Sequence, residues 1–150
     1  MISTGDLRVV LEPVLSRPCV LLVHPIISRL QAAAGEIQAD YDWPFLHIGE
    51  HLCTALMVVP PNRRGHVARD WLQYEVARLT PGPLVCAEID LLFEPALTLD
   101  PLALFRQLSR KSKLIVLWPG TFENNTLAYA VPEHAHYKVW RNPEVEIIAL

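Results

Sequence analysis

Short apolar runs, separated by prolines and amphipathic stretches, set the rhythm of this chain. Cys19–His24 (CVLLVH) lies between Pro18 and Pro25, and its length and valines predict a buried strand. Ile26, Leu30, Ala33 and Ile37 then recur at helical spacing, so a helix follows. Residues 43–48 read as a second short strand ended by Gly49. Leu52, Leu56 and Val59 suggest a second helix, opened by Glu50 and His51 and stopped by Pro60-Pro61. After a basic turn at Arg63, Arg64 and Gly65, a broad apolar helix face runs through Val67, Trp71, Leu72, Tyr74, Val76 and Leu79.

Residues 84–93 (LVCAEIDLLF) form the longest apolar run with strand character, and charge enters only at Glu88 and Asp90. Asp100-Pro101 is a strong helix start, a capping carboxylate followed by proline at the first helical position. Leu102, Phe105 and Leu108 give that helix its buried stripe. Residues 113–118 (KLIVLW) predict another buried strand, closed by Pro119-Gly120. Residues 127–131 and 145–150 are two further candidate strands, and residues 123–126 before the first of them look like a turn. Four apolar strands alternating with helices predict βαβ units, hence an α/β domain with a mostly parallel sheet flanked by helices. The last two strands have no long helix between them and could form an antiparallel edge.

Composition changes this picture little. The chain has 150 residues, 51% of them apolar, enough for one core, and no linker or repeat divides it. A single domain over residues 1–150 is therefore expected. Its 13 prolines, well above the average of about 5%, fall between the apolar segments and mark element boundaries. No apolar stretch is long enough to span a bilayer, and the first residues lack the pattern of a signal peptide. Cys19, Cys53 and Cys86 are far apart in apolar runs, which reads as buried, reduced thiols and a cytoplasmic protein. The formal net charge of −3 gives no global basic field, so DNA could be met only through a local patch. Arg106, Arg110, Lys111 and Lys113 are the candidates for such a patch or for a partner contact. A helix C-terminus also attracts cations without any ligand.

The loop after the first strand carries the most chemical interest, because doubly wound sheets bind ligands beyond the carboxyl ends of their strands. A phosphate loop needs glycines, a lysine and a hydroxyl there. Residues 24–31 (HPIISRLQ) lack all three at the matching places, leaving Ser28 and Arg29 as weak anion candidates. Glu88 and Asp90 lie toward the end of the main strand, where ATPases keep metal-binding and water-positioning carboxylates. Two residues apart on a strand, they should point to one face. His47, Glu50 and His51 spell the inverted zinc-protease pattern H-x-x-E-H. That chemistry needs both histidines on one helical face, whereas His47 reads as a strand residue and Gly49 interrupts the motif. His134 and His136, beside Glu133, are strand-spaced and could hold a metal or simply occupy a surface loop. The four tryptophans read as core or interface anchors.

From Glu88 to Trp140 the strings EIDLLFEPALTLDPLALFRQLSRKSKLIVLWPG and LAYAVPEHAHYKVW resemble the BrxF family, the small P-loop-containing component of type 3 BREX bacteriophage-exclusion systems. The similarity is densest over residues 89–120, and residues 45–52 also fit. Together this covers about half the chain. The resemblance implies a three-layer P-loop NTPase-like domain of the ASCE type, in which the fourth strand inserts between the first and the third. Residues 114–118 should then pair in parallel with both 20–23 and 84–89. It also implies a role in phage defence. The family's phosphate loop falls on residues 24–31, and its acidic strand-end residue falls on Ala87. These departures imply a pseudo-ATPase that binds other subunits of a defence complex, with no cofactor expected and neither ATP nor magnesium. A homo-oligomer is compatible with this reading. Two alternatives remain: an NTPase with an unconventional cradle built from Ser28, Arg29, Glu88 and Asp90, and a small metal-dependent hydrolase using His47, Glu50 and His51.

Overall fold

Strands covered on both faces must be apolar along their whole length, and three segments of this chain are. The computed structural model describes residues 6–150. In it β1 (Cys19–His24) is buried over its first five residues and pairs in parallel with β4 (Leu114–Glu123) on one side. On its other side lies β7 (Glu146–Ala149), also parallel. β3 (Leu84–Ala87) pairs with the far edge of β4, and β2 (Phe45–His47) lies beyond it. The order is therefore β2-β3-β4-β1-β7, with the fourth strand between the first and the third, as expected.

Alternation along the strands divides the core in two. Leu21, Val23, Cys86, Val116 and Trp118 face α3 (Ile48–Met57), α4 (Arg64–Arg78) and α5 (Pro101–Leu108). Val20, Leu22, Val85, Ile115 and Leu117 face α1 (Asp6–Leu11) and α2 (Ile27–Asp40). Helices thus cover both faces of the sheet. α5 starts as its sequence predicts: the Ala103 N–H donates to Asp100 Oδ1 at 3.1 Å, and Pro101 follows the cap.

Three sequence expectations need correction. β4 does not stop at Pro119-Gly120 but runs on to Glu123. Pro119 still aligns with His24 of β1, while Gly120 faces Tyr129 of β5 (Thr126–Tyr129). A Cβ on Gly120 would lie 1.8 Å from the Ala128 carbonyl oxygen, so the glycine permits strand contact there instead of ending the strand. The run 84–93 is a strand only as far as Ala87. Glu88 turns into the left-handed region (φ 56°), and a 3-10 turn over Asp90–Phe93 sends Leu92 and Phe93 into the core. The last two candidate strands do not form an antiparallel edge together. β5 is tied to β4 by a two-residue turn in which Asn124 and Asn125 both take positive φ, the geometry that suits a tight hairpin. β6 (Lys138–Arg141), which the sequence pattern did not reveal, extends that antiparallel arm, while β7 crosses to the opposite edge of the sheet.

Where the arm leaves the sheet, aromatic side chains knit it down. Trp118 is fully buried and its Nε1–H donates to the Ala128 carbonyl at 3.0 Å. Phe93 meets Trp118 edge-on at 5.1 Å and stacks on Tyr129 at 3.7 Å, and Trp140 closes on Trp118 at 5.4 Å. Cys19 and Cys86 are buried as expected, but Cys53 is exposed, because it falls on the outer face of α3. Among the described residues no helix is long and apolar enough to cross a membrane.

Candidate functional site at the carboxyl ends of the strands

Ligands of open α/β sheets bind beyond the carboxyl ends of the strands, so the connection from β1 to α2 comes first. Only Pro25 and Ile26 lie between His24 and the first residue of the helix. Pro25 has no N–H. The Ile26 N–H is already used, donating to His24 Nδ1 at 3.0 Å. Burial, and then the nearby Arg29 charge, lower the His24 pKa, which favours the neutral ring that can accept this bond. The Ile26 carbonyl in turn accepts from the Arg29 and Leu30 amides. A phosphate nest needs several successive amides pointing into one hollow. This loop gives its one amide to its own imidazole. Ser28 is exposed in the first turn of α2, and Arg29 is partly exposed beside it.

The second arm of the site is the segment after β3. Glu88 and Asp90 do not share a strand face, because the strand has ended and the backbone has turned between them. They face different partners. Glu88 Oε2 pairs with His47 Nδ1 at 2.7 Å, and both side chains are about half-exposed. The Glu88 carbonyl accepts from the Gly49 N–H at 2.8 Å. A Cβ on Gly49 would come within 3.1 Å of that oxygen, so the glycine opens α3 to the turned backbone. Asp90 Oδ1 accepts from the Tyr129 hydroxyl at 2.7 Å. The Tyr129 pKa is raised, first by burial and then by the Asp90 carboxylate.

His47, Glu88 and Asp90 line a cleft of about 250 Å³ together with Ile27, Leu30, Ala34, Ala87 and Leu117. A carboxylate-held imidazole is the support of a general base. Catalysis also needs a nucleophile or oxyanion donors aimed at the same point. The lining holds one neutral amide donor, Gln31, and no hydroxyl, thiol, amine or guanidinium beside it. Two carboxylates, Glu88 and Asp90, are in the lining and would repel a triphosphate.

The other sequence candidates are not brought into this cleft. His47 ends β2, whereas Glu50 and His51 are exposed in the first turn of α3, so the H-x-x-E-H residues do not share a helical face. His134 Nδ1 accepts from the His136 amide at 2.9 Å, and His136 Nε2 lies 3.9 Å from Glu94. Among the described residues no group of three or more His, Cys, Asp or Glu is gathered as a metal site. Arg106, Arg110, Lys111 and Lys113 lie at the opposite, amino end of the sheet, at the end of α5 and in the turn before β4. The sequence reading missed the His47–Glu88 pair because its members stand 41 residues apart and only the β2–β3 pairing joins them. It missed the Asp90–Tyr129 bond for the same kind of reason. Compared with family models, with curated proteins and with solved structures, the chain finds no significant match, so its reading rests on its own sequence and geometry.

Proposed function

We propose that the chain is a non-catalytic, P-loop-like subunit of a BREX-type phage-exclusion assembly, acting through protein partners. The observation that carries this reading is the β1–α2 connection in its sheet context. The strand order is that of an ASCE ATPase, and at the place of the phosphate loop stand two residues whose single amide is bound to His24. The carboxylates beyond β3 are engaged with His47 and Tyr129 rather than grouped for magnesium. The defence role rests on the sequence resemblance between Glu88 and Trp140.

Thermal unfolding with and without ATP and magnesium tests the non-catalytic part. A ligand that binds only the folded state stabilises by RT ln(1 + [L]/Kd), so millimolar ATP would reveal an affinity of about 10 µM as about 2.7 kcal/mol. No shift is expected. A magnesium-dependent rise in Tm that disappears in Arg29→Ala would instead establish the unconventional cradle of Ser28 and Arg29. Co-expression with the products of neighbouring genes tests the partner part. Capture of a methyltransferase or helicase subunit is the expected outcome, and an isolated gene whose product captures neither would end the BREX reading.

A further inference from the structure

At the amino end of the sheet, two separate elements bring three guanidinium groups to one cavity. Arg17 comes from the segment before β1, and Arg106 and Arg110 from the end of α5 and the turn after it. The cavity is open and about 490 Å³ in volume, with Cys19 and Ser109 also in its lining. Its lining also holds two carboxylates, Glu144 and Glu146. Glu144 Oε2 lies 3.6 Å from an Arg106 Nη atom, well beyond the roughly 2.7–2.9 Å of a good charge-assisted bond. The backbone presents it there: Asn142 and Glu144 both take positive φ around the buried Pro143, and the Asn142 N–H is tied to the Asn125 carbonyl at 3.0 Å.

We propose that this arginine-lined cavity binds the phosphate backbone of a nucleic acid, and that Glu144 is a weak internal competitor for the anion position. Arg17 follows the end of the helical run Asp6–Val14, its N–H donating to the Val14 carbonyl at 2.9 Å, and Arg106 and Arg110 stand at the end of α5. Helix-end compensation can place each cation, but it does not require that two separate helix ends deliver them to one cavity. Arginine in threes suits phosphate oxygens, which it can grip with two parallel bonds. The positive strip also continues past one phosphate. Arg110 is shared with an adjoining groove whose rim carries Lys111, Gln107 and Thr80, so a polyanion gains further contacts where a single small anion would not. The proposal stands independently of the pseudo-ATPase reading, since no nucleotide chemistry enters it.

Fluorescence anisotropy with a short labelled DNA duplex of mixed sequence tests it, in a salt series. Each of Arg17→Ala, Arg106→Ala and Arg110→Ala should weaken binding and flatten the slope of log K against log[salt] by about 1. Arg106→Lys should keep most of the slope while losing affinity. Glu144→Gln should strengthen binding by about two- to fivefold, the span expected from releasing a surface ion pair. Arg63→Ala removes the same charge at the other end of α4 and should change nothing. All these side chains are exposed or at the surface, so folding is preserved, and an unchanged Tm verifies it. Binding that is insensitive to the three arginines, or weakened by Glu144→Gln, overturns the proposal. So does displacement of the duplex by polyglutamate at equal charge concentration, which would assign the cavity to an acidic protein. Displacement by inorganic phosphate at similar concentration would assign it to a small anion and equally overturn the nucleic-acid reading.

Discussion

The two ends of this parallel sheet use their polar groups in opposite ways. At the carboxyl end, where such sheets usually receive ligands, the polar groups are turned on one another. His24 holds the Ile26 amide, His47 holds Glu88, and Tyr129 holds Asp90. At the amino end three arginines line an open cavity together with two carboxylates, Glu144 and Glu146, and the contact of Glu144 with Arg106 is loose at 3.6 Å. A polar group with a good internal partner adds to stability and has little left to offer a ligand. On the proposed nucleic-acid reading, architecture falls to the carboxyl end and recognition to the amino end, the reverse of the usual division of labour in α/β folds.

The strongest test of the architectural end is Trp118→Ala. Trp118 is fully buried at the point where β4 leaves the parallel sheet for the hairpin arm, and its ring joins Phe93 and Trp140. Its loss should cost about 3–5 kcal/mol, as large aromatic truncations do, and should leave the Ala128 carbonyl without its indole donor. Urea unfolding at constant m-value measures this. A loss below about 1 kcal/mol would mean that the aromatic cluster does not anchor the arm.

Much of this architecture is legible in the sequence, and the misses have physical reasons. β1, β3 and the first half of β4 are readable because a strand buried on both faces must be continuously apolar. The reach of β4 past Pro119-Gly120 is hidden, because the same residues that end most strands here allow the close approach of Ala128. The end of β3 is hidden because an apolar run does not say whether Ile89, Leu92 and Phe93 reach the core by extension or by turning. Site chemistry was less legible still. The His47–Glu88 and Asp90–Tyr129 contacts join residues from distant segments, and Arg17, a single cation beside Pro18, carries no local mark of the company it keeps with Arg106 and Arg110.

Alkaline pH should weaken both ends through buried acids kept neutral by the fold. Burial pushes the Cys19 thiol up to about 12 and raises Cys86 and Tyr129 as well. Folded-state values above the unfolded ones mean that the folded chain holds protons the unfolded chain releases. Stability is then full below about pH 9 and falls as pH rises toward the folded values. At about pH 10.5 Cys19 alone accounts for about 2 kcal/mol of that loss. The urea midpoint should drop accordingly between neutral and alkaline pH, and Cys19→Ala should flatten the dependence. At neutral pH a thiol reagent should modify Cys53 quickly and the two buried thiols only on unfolding. Rapid reaction of all three would show that the sheet opens readily.

Tyr129→Phe sharpens the comparison on a smaller scale. It keeps the stacking on Phe93 and removes only the hydroxyl that donates to Asp90 at 2.7 Å. A bond to a carboxylate that stands at the surface should be worth about 1–2 kcal/mol. Asp90→Asn in the same background should then add much less than it does alone, as residues sharing one interaction are not additive. Fully additive effects would show that Asp90 is not engaged by Tyr129 and is available at the cleft.

The smallest expected effect bears most directly on the phosphate end. His24→Ala removes the ring that accepts the Ile26 N–H at 3.0 Å and leaves an amide at a solvent-facing helix start. Loss of such a local cap should cost about 0.5–1 kcal/mol, measurable as a small fall in Tm. If the imidazole alone kept phosphate out, the variant would gain a magnesium-dependent stabilisation by ATP. It should not, because two further obstacles survive the substitution. Pro25 still has no N–H to offer, and a two-residue connection from β1 to α2 cannot curl enough amides around a phosphate. ATP should therefore leave the Tm of His24→Ala where the substitution put it. A rise of several degrees would show that the closure of this end is a single side chain deep, and that the architecture beneath it is still that of a working phosphate site.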